Sequence, residues 1–413
     1  MNVLLIGSGG REHAIAKKLV ESPKLKKLYS IPGNSGISKI SETIGTDLNV
    51  ESIVNSAKEK SIDLIFCGPE QPLVDGLSDL AEKNGIKTFG PSKKGAALEG
   101  SKIFSKQFMS KYDIPTSDYK YFYNYDDAVS YFKQRETYPV VIKADGLAAG
   151  KGVKIAKNRG EANEILKSYF IDKSLGKSGE SILVEDFLTG EEMSAIYITD
   201  GTTFLPLIAA KDYKRAFDDD KGENTGGMGA YAPHLAYNDK LKDLIEDKII
   251  SKIRIGLKKE GIDYRGALYV GLMLTDEGPQ VIEFNCRLGD PETQVILPLM
   301  DSDLLNIANL AACKKLSGTT IKWKNSFAGC VVIAAGGYPG DYKKGINIEF
   351  SGNPYDFIHA GAKLVSDKIV TNGGRVLNAV CLGNSKSSAL HSCYKLLEKV
   401  NFEGCFYRKD IGK

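Results

Sequence analysis

The chain has 413 residues, 42% of them hydrophobic and 26% charged, a balance too apolar for intrinsic disorder and a length that predicts several domains. Its 55 Lys+Arg against 52 Asp+Glu leave a formal net charge of +3, spread along the chain rather than gathered in a basic stripe, which excludes a general nucleic-acid binder. The most apolar stretch, FAGCVVIAAGG at 327–337, is about half the ~20 residues a membrane-spanning helix needs. The N-terminal apolar run lacks the basic flank of a signal peptide, and the seven cysteines are odd in number with no Cys-x-x-Cys, which argues against a disulfide framework or structural zinc. The expectation is a cytoplasmic multidomain protein with no membrane or nucleic-acid partner and no sign of an obligate protein partner.

In chain order, Val3–Ile6, Leu28–Ile31, Ile62–Cys67 and Lys87–Phe89 read as short strands. Helical spacing recurs at Ile15–Val20 and through Val74, Leu77, Leu80 and Ala81. This alternation predicts a parallel sheet with its ligand loops at Gly7–His13, Pro32–Asn34 and Gly68–Glu70. A helix near Ser101–Lys111 precedes strands at Pro139–Lys143 and Gly152–Ala156, joined by a loop. A helical stretch near 160–169 and a strand at Ile182–Phe187 follow. Met193–Thr199, Thr203–Ala210, Ala267–Leu274 and Pro279–Phe284 suggest an antiparallel sheet carrying helices. From Ala328 the chain is rich in β residues and glycine. The expected units are an N-terminal α/β domain (1–120), a lid (121–190), a central domain (191–326) and a β-rich C-terminal domain (327–413).

Four constellations carry chemistry. Gly7-Ser8-Gly9-Gly10-Arg11-Glu12 follows a strand and opens a helix, so it is either a packing turn or a cradle for a phosphorylated small molecule. Glu12 in place of the third glycine, and the lack of an acid after the second strand, oppose a dinucleotide site. Lys143-Ala144-Asp145-Gly146-Leu147-Ala148-Ala149-Gly150-Lys151-Gly152 lies between two strands. It is therefore a hairpin flap able to fold over a triphosphate, or a solvated hairpin, and not a Walker A loop. In Val281–Thr293, strand alternation puts Glu283 and Asn285 on one face and Ile282, Phe284 and Cys286 on the other. A carboxylate and an amide oxygen two residues apart suit Mg²⁺. Asp290-Pro291 reads as a helix N-cap followed by proline, and Arg287 precedes it, able to grip a carboxylate or phosphate. Asn224–Tyr231 is glycine-rich, a plain loop or an anion-binding nest. The four histidines offer no Ser-His-Asp or Cys-His arrangement, which points away from an enzyme nucleophile and toward phosphoryl transfer.

Taken together, IGSGGREHA, PGN (32–34), GPE (68–70), LEGSK (98–102), IKADGLAAGKGV (142–153), NTGGMGAY (224–231), VIEFNCRLGDPETQ (281–294), AAGGYPGDY (334–342), TNGGRVL (371–377) and YRKDIG (407–412) resemble the ATP-grasp family. Within it they resemble the branch of de novo purine biosynthesis that joins glycine to 5-phosphoribosylamine. The resemblance implies a multidomain α/β ligase with a Rossmann-like N-terminal domain and a small β-rich C-terminal domain. It implies ATP with Mg²⁺ or Mn²⁺, and a glycyl phosphate intermediate. It places Lys102, Lys143 and the flap residues Gly150, Lys151 and Gly152 at the ATP phosphates. Glu185, Phe187 and Leu188 would lie beside adenine and Glu192 at the ribose, with Glu283 and Asn285 at the metal. Arg287, Asp212, Lys214 and Gly227 would face the reacting groups. Gly9, Gly10, Arg11, Asn34, Glu70, Asp290, Lys363 and Arg375 would hold phosphoribosylamine. The chain departs from many ATP-grasp enzymes in having no metal carboxylate within Gly266–Leu274, and it carries Ala362 where a hydroxyl residue is common.

Overall fold

Short apolar strands alternating with helices bury both sheet faces when the strands run parallel. In the computed structural model, which describes residues 1–148 and 152–413, five such strands pair in the order Glu42–Thr43, Lys27–Pro32, Asn2–Gly7, Leu64–Cys67 and Lys87–Phe89. The order changes direction at Asn2–Gly7, so the loops after Gly7, Pro32 and Cys67 open on one crevice. The helix expected through Val74–Ala81 is interrupted at Gly76, where φ is 101°. Only glycine adopts that angle readily, and separate helices Gln71–Asp75 and Leu77–Lys83 result.

A first antiparallel sheet, over most of the stretch expected as a lid, runs in the order Tyr119–Phe122, Ile182–Asp186, Val140–Ala144 and Val153–Ala156. The last two strands form the hairpin read from the sequence. Its base is anchored by Asp145, whose carboxylate accepts from Ser101 Oγ at 3.0 Å and from the Ile103 amide at 3.0 Å. Ser101 in turn caps the helix Lys102–Lys111. The tip residues Gly150 and Lys151 lie outside the described residues.

A second antiparallel sheet runs Phe204–Pro206, Glu191–Thr199, Gly266–Thr275, Gly278–Asn285. The strand expected over Thr203–Ala210 stops at Pro206, which has no N–H to continue a ladder; only a bridge from Ala210 to Ser194 follows. A bulge at Ile282 pairs Gly271 with Glu283 and Leu272 with Val281. This corrects the simple alternation: Val281, Phe284 and Cys286 enter the core together, and Ile282 turns to the cleft.

The C-terminal region builds on a third antiparallel sheet, Lys211–Asp212, Gly229–Ala232, Phe327–Ala334, Arg375–Gly383 and Ile358–His359. Its first two strands come from the central region, so the C-terminal segment is stitched to it by backbone hydrogen bonds. Asp290 caps no helix: the next helix, Glu292–Ile296, has no side-chain cap. The Asp290 carboxylate instead accepts from Gln294 Nε2 at 2.7 Å and pairs with Arg375 Nη2 at 3.2 Å. The cysteines are free thiols, as expected. Among the described residues no helix is long and apolar enough to cross a membrane.

A histidine contact joins the N- and C-terminal regions. His13 Nδ1 accepts from the His359 amide at 2.8 Å, and the two rings meet edge to face at 5.5 Å. Burial, with smaller effects from His359 and Lys17, lowers the His13 pKa from 6.5 to about 3. The folded protein therefore binds this proton more weakly than the unfolded chain does. The stability contributed by the neutral ring is complete above about pH 6.5 and is lost as pH falls toward 3, amounting to about 2 kcal/mol by pH 5. We expect thermal unfolding of wild type to drop on going from pH 7.5 to 5 by more than that of His13→Gln, whose amide oxygen can still accept the bond. Parallel pH profiles for the two proteins would remove His13 from the effect.

Candidate active site

The parallel sheet's crevice, the lid hairpin and the second sheet's last strand meet in one cleft of about 860 Å³. Ser8, Gly9, Gly10 and Arg11 enter it because the first strand ends at Gly7 and a helix starts at Gly10, presenting backbone amides and positive helix-end charge. Arg11 is held by Glu12 and by the Leu288 carbonyl at 3.1 Å. Arg287 lies beside it, between Glu70 (3.2 Å) and Glu99 (3.0 Å). Burial alone would raise the Glu70 pKa, but Arg287 and Arg11 outweigh it and hold the carboxyl at about 2. Burial pushes Glu99 up despite Arg287.

Opposite stands a group of lysines. Lys143, on the strand Val140–Ala144, pairs with Glu185 at 2.9 Å and donates to the Ile282 carbonyl at 3.1 Å. Lys102, at the start of its helix, donates to the Gly146 carbonyl at 2.8 Å, which ties it to the flap's base. Between the lysines lies Glu283. Burial opposes its charge, but Lys214, Lys143, Lys102 and Arg287 together hold its pKa below the ordinary value. Neither the Glu283 carboxylate nor the Asn285 amide makes a hydrogen bond or ion pair with another described side chain, so their oxygens are available in the cleft. The two form a hard-oxygen donor pair fit for a divalent cation whose other positions are filled by phosphate and water.

On the third side, Lys214 lies 2.8 Å from Glu192 and 3.6 Å from Asp212. Burial raises the Asp212 pKa to about 7, opposed by Lys214 and reinforced by Glu292 and Glu192. Burial works against the Lys214 charge, but Asp212, Tyr269 and Glu192 outweigh it and raise its pKa. A cation-rich cleft with one metal-type donor pair and an acidic corner can bind a polyphosphate, a metal ion and an amino group side by side.

Residues 1–99, 100–293 and 328–413 match the N, ATP-grasp (A) and C domains of the phosphoribosylglycinamide synthetase family models. A phosphoribosylamine–glycine ligase of Caldanaerobacter subterraneus is 47% identical, over 100% of this chain and 99% of that one. The chain belongs to the phosphoribosylglycinamide synthetase family. A bifunctional purine biosynthetic protein of Schizosaccharomyces pombe is 46% identical over 99% of this chain, which spans 53% of that longer protein. The crystal structure of a phosphoribosylamine–glycine ligase from Thermotoga maritima superposes with a TM-score of 0.88 at 35% identity, covering 99% and 100% of the two chains. The biotin carboxylase domain of a Hydrogenobacter thermophilus 2-oxoglutarate carboxylase shares the fold, with a TM-score of 0.74 at 19% identity over 98% and 91%.

In this member of the phosphoribosylglycinamide synthetase family the cleft gathers Gly9, Gly10, Arg11, Asn34, Glu70, Lys102, Lys143, Gly152, Glu185, Asp212, Lys214, Glu283, Asn285, Arg287, Asp290, Lys363 and Arg375. Phe187, Leu188, Glu192 and Gly227 are not in its lining. Phe187 is solvent-exposed, Glu192 meets the site through Lys214, and a side chain on Gly227 would strike Pro291. The 224–231 loop is no open nest: the amides of Thr225, Gly226, Gly227 and Met228 donate to Lys214 O, Tyr338 Oη, Thr225 Oγ1 and Tyr213 O. Its Gly226 carbonyl accepts from Arg375 at 2.8 Å, and Arg375 also grips the Asp290 carbonyl at 2.9 Å. Asn34 is fully engaged as well. Its Nδ2 donates to Ser8 O and His359 O at 2.8 Å each, and its Oδ1 accepts from the Gly36 and Ile37 amides. Asn34 thus pins the glycine loop to the C-terminal region. The residue reading missed Glu99, Lys106, Tyr269 and Glu292 in the lining. Lys106 had a signal: it follows Lys102 by four residues, on the same helix face.

Proposed function

We propose that this enzyme uses ATP and Mg²⁺ or Mn²⁺ to join glycine to 5-phosphoribosylamine through glycyl phosphate. The carbon–nitrogen ligase activity, its place in purine biosynthesis and the use of ATP with a divalent metal follow from the family. The observation that supports the finer reading is that one cleft brings together the phosphate-type helix end at Gly9–Arg11, the lysine pair Lys102 and Lys143, and the Glu283–Asn285 donor pair.

Lys102 and Lys143 bind the ATP phosphates. Glu283 and Asn285 hold the metal, which when bound neutralises charge on the transferring phosphoryl group. The acidic corner of Asp212 and Glu292 takes the glycine ammonium, which leaves the carboxylate facing the γ-phosphate. A carboxylate resists attack by an amine until one oxygen becomes a leaving group, and phosphorylation supplies that. Arg287 orients the acyl phosphate. Arg11 and the amides at Gly9–Gly10 take the phosphate of phosphoribosylamine, and Glu70, Asp290 and Lys363 line the path of its ribose. Arg375 and Asn34 hold the walls of this half of the site.

The test is ADP release with ATP, Mg²⁺, glycine and freshly generated phosphoribosylamine, each omitted in turn. Release that requires all four is expected. Release with alanine or serine as fast as with glycine, or with ammonia in place of the ribosylamine, would overturn the substrate assignment.

A further inference from the structure

Glu185 is a buried carboxylate with two lysine partners. Lys143 contacts Oε1 at 2.9 Å, and Lys106 lies 3.4 Å from Oε2, to which Ser117 Oγ also donates at 3.2 Å. The three charged side chains are only 4%, 2% and 5% exposed for Lys143, Lys106 and Glu185. Lys106 has several protein partners besides Glu185. It donates to Thr116 Oγ1 at 2.6 Å and Ser117 Oγ at 3.0 Å, and Thr116 passes a bond on to the Val281 carbonyl at 2.6 Å. Both lysines border the cleft, but Lys143 has fewer protein partners among the described residues: besides Glu185 it has only the Ile282 carbonyl, at 3.1 Å. The two lysines therefore differ: Lys106 is tied to Glu185, Thr116 and Ser117, and Lys143 has fewer bonds to give up.

We infer that Lys106 is a positioning residue that serves as the standing counter-ion of Glu185, so that Lys143 can leave this carboxylate for the nucleotide phosphates. The inference rests on the reading of Lys143 as a phosphate contact. A buried carboxylate stripped of its only cation is strongly disfavoured. Without Lys106, Glu185 would hold Lys143 back, and nucleotide binding would have to break that pair. With Lys106 in place the carboxylate stays neutralised while Lys143 moves. Burial lowers the Lys106 pKa to about 8 against the pull of Glu185, which leaves it charged at neutral pH. Thr116 and Ser117 complete the arrangement by fixing the ammonium when only one carboxylate oxygen faces it.

The experiment is calorimetric titration of the full chain with ATP and Mg²⁺, without glycine or amine. Lys106→Met is expected to weaken ATP binding at least tenfold. Adding Glu185→Gln to that variant is expected to restore the affinity to within threefold of wild type, because the competing charge is gone. A purely structural or direct-contact role for Lys106 would show no such rescue. Wild-type affinity in Lys106→Met, or failure of the double variant to recover, overturns the inference. If Lys106→Met does not fold, Lys106→Gln, which keeps a donor for Thr116 and Ser117 but not the charge, decides: a tenfold loss of ATP affinity supports the proposal, and wild-type affinity overturns it. Lys143→Met separates the premise from the inference. A loss of ATP binding there with none in Lys106→Met removes only the role of Lys106, whereas wild-type binding in Lys143→Met removes both.

Discussion

Replacing Glu283 by alanine is expected to lower turnover by at least about a thousandfold, roughly 4 kcal/mol of barrier, while leaving a folded protein. Glu283 faces four cationic side chains yet spends its oxygens on none of them, which is the behaviour of a ligand kept for something outside the chain. On the proposed reading, its loss would remove one of two oxygen donors at the metal, and with it the neutralisation on which phosphoryl transfer depends. Metal-free ATP should bind the variant as well as wild type or better, since a negative charge facing the triphosphate is gone. Turnover above about a tenth of wild type, a change under ~1.4 kcal/mol, would take the metal role from Glu283.

The second large effect is expected at Arg287, and it falls on stability as well as activity. Arg287 neutralises Glu70 and Glu99 at once. Glu99 is also fixed by the Cys286 amide, which donates to it at 2.7 Å. Arg287→Met leaves this carboxylate buried beside Glu70 with the Cys286 amide but no cation, and removing one member of a buried pair costs about 3–5 kcal/mol. Denaturant unfolding should show that loss. Adding Glu99→Gln should recover part of it, because the neutral amide can still accept from Cys286 without carrying a charge. Unfolding of Arg287→Met at the wild-type midpoint would mean that Arg11 alone balances both acids.

The elements that position the site were readable because their signals are local. A strand ending in Gly7-Ser8-Gly9-Gly10, a glycine-rich hairpin beginning at Lys143, and Glu283 and Asn285 two residues apart each follow from side-chain periodicity and backbone freedom within a few residues. The bulge at Ile282 was not readable, because it arises from register against Gly266–Thr275 and not from any residue in its own strand. Asp290 reads locally as a helix cap, yet two partners outside that role, Gln294 and Arg375, claim its carboxylate. Asn34 and the amides of 225–228 have the residue types of a ligand site, but packing against the C-terminal region spends their hydrogen bonds inside the protein. Lys106 lacks a motif because its meaning depends on Glu185, a residue 79 positions away. The sequence by itself determined the strand–helix alternation of the N-terminal region with its parallel strands, the hairpin that begins at Lys143, the closeness of Glu283 and Asn285, and the family; the order of the strands in the sheet came only from the structure. Only the tertiary structure decided which polar groups remain open to substrate and which serve the fold, because a buried donor or acceptor must find a partner and chain reversal brings in partners that no local pattern names.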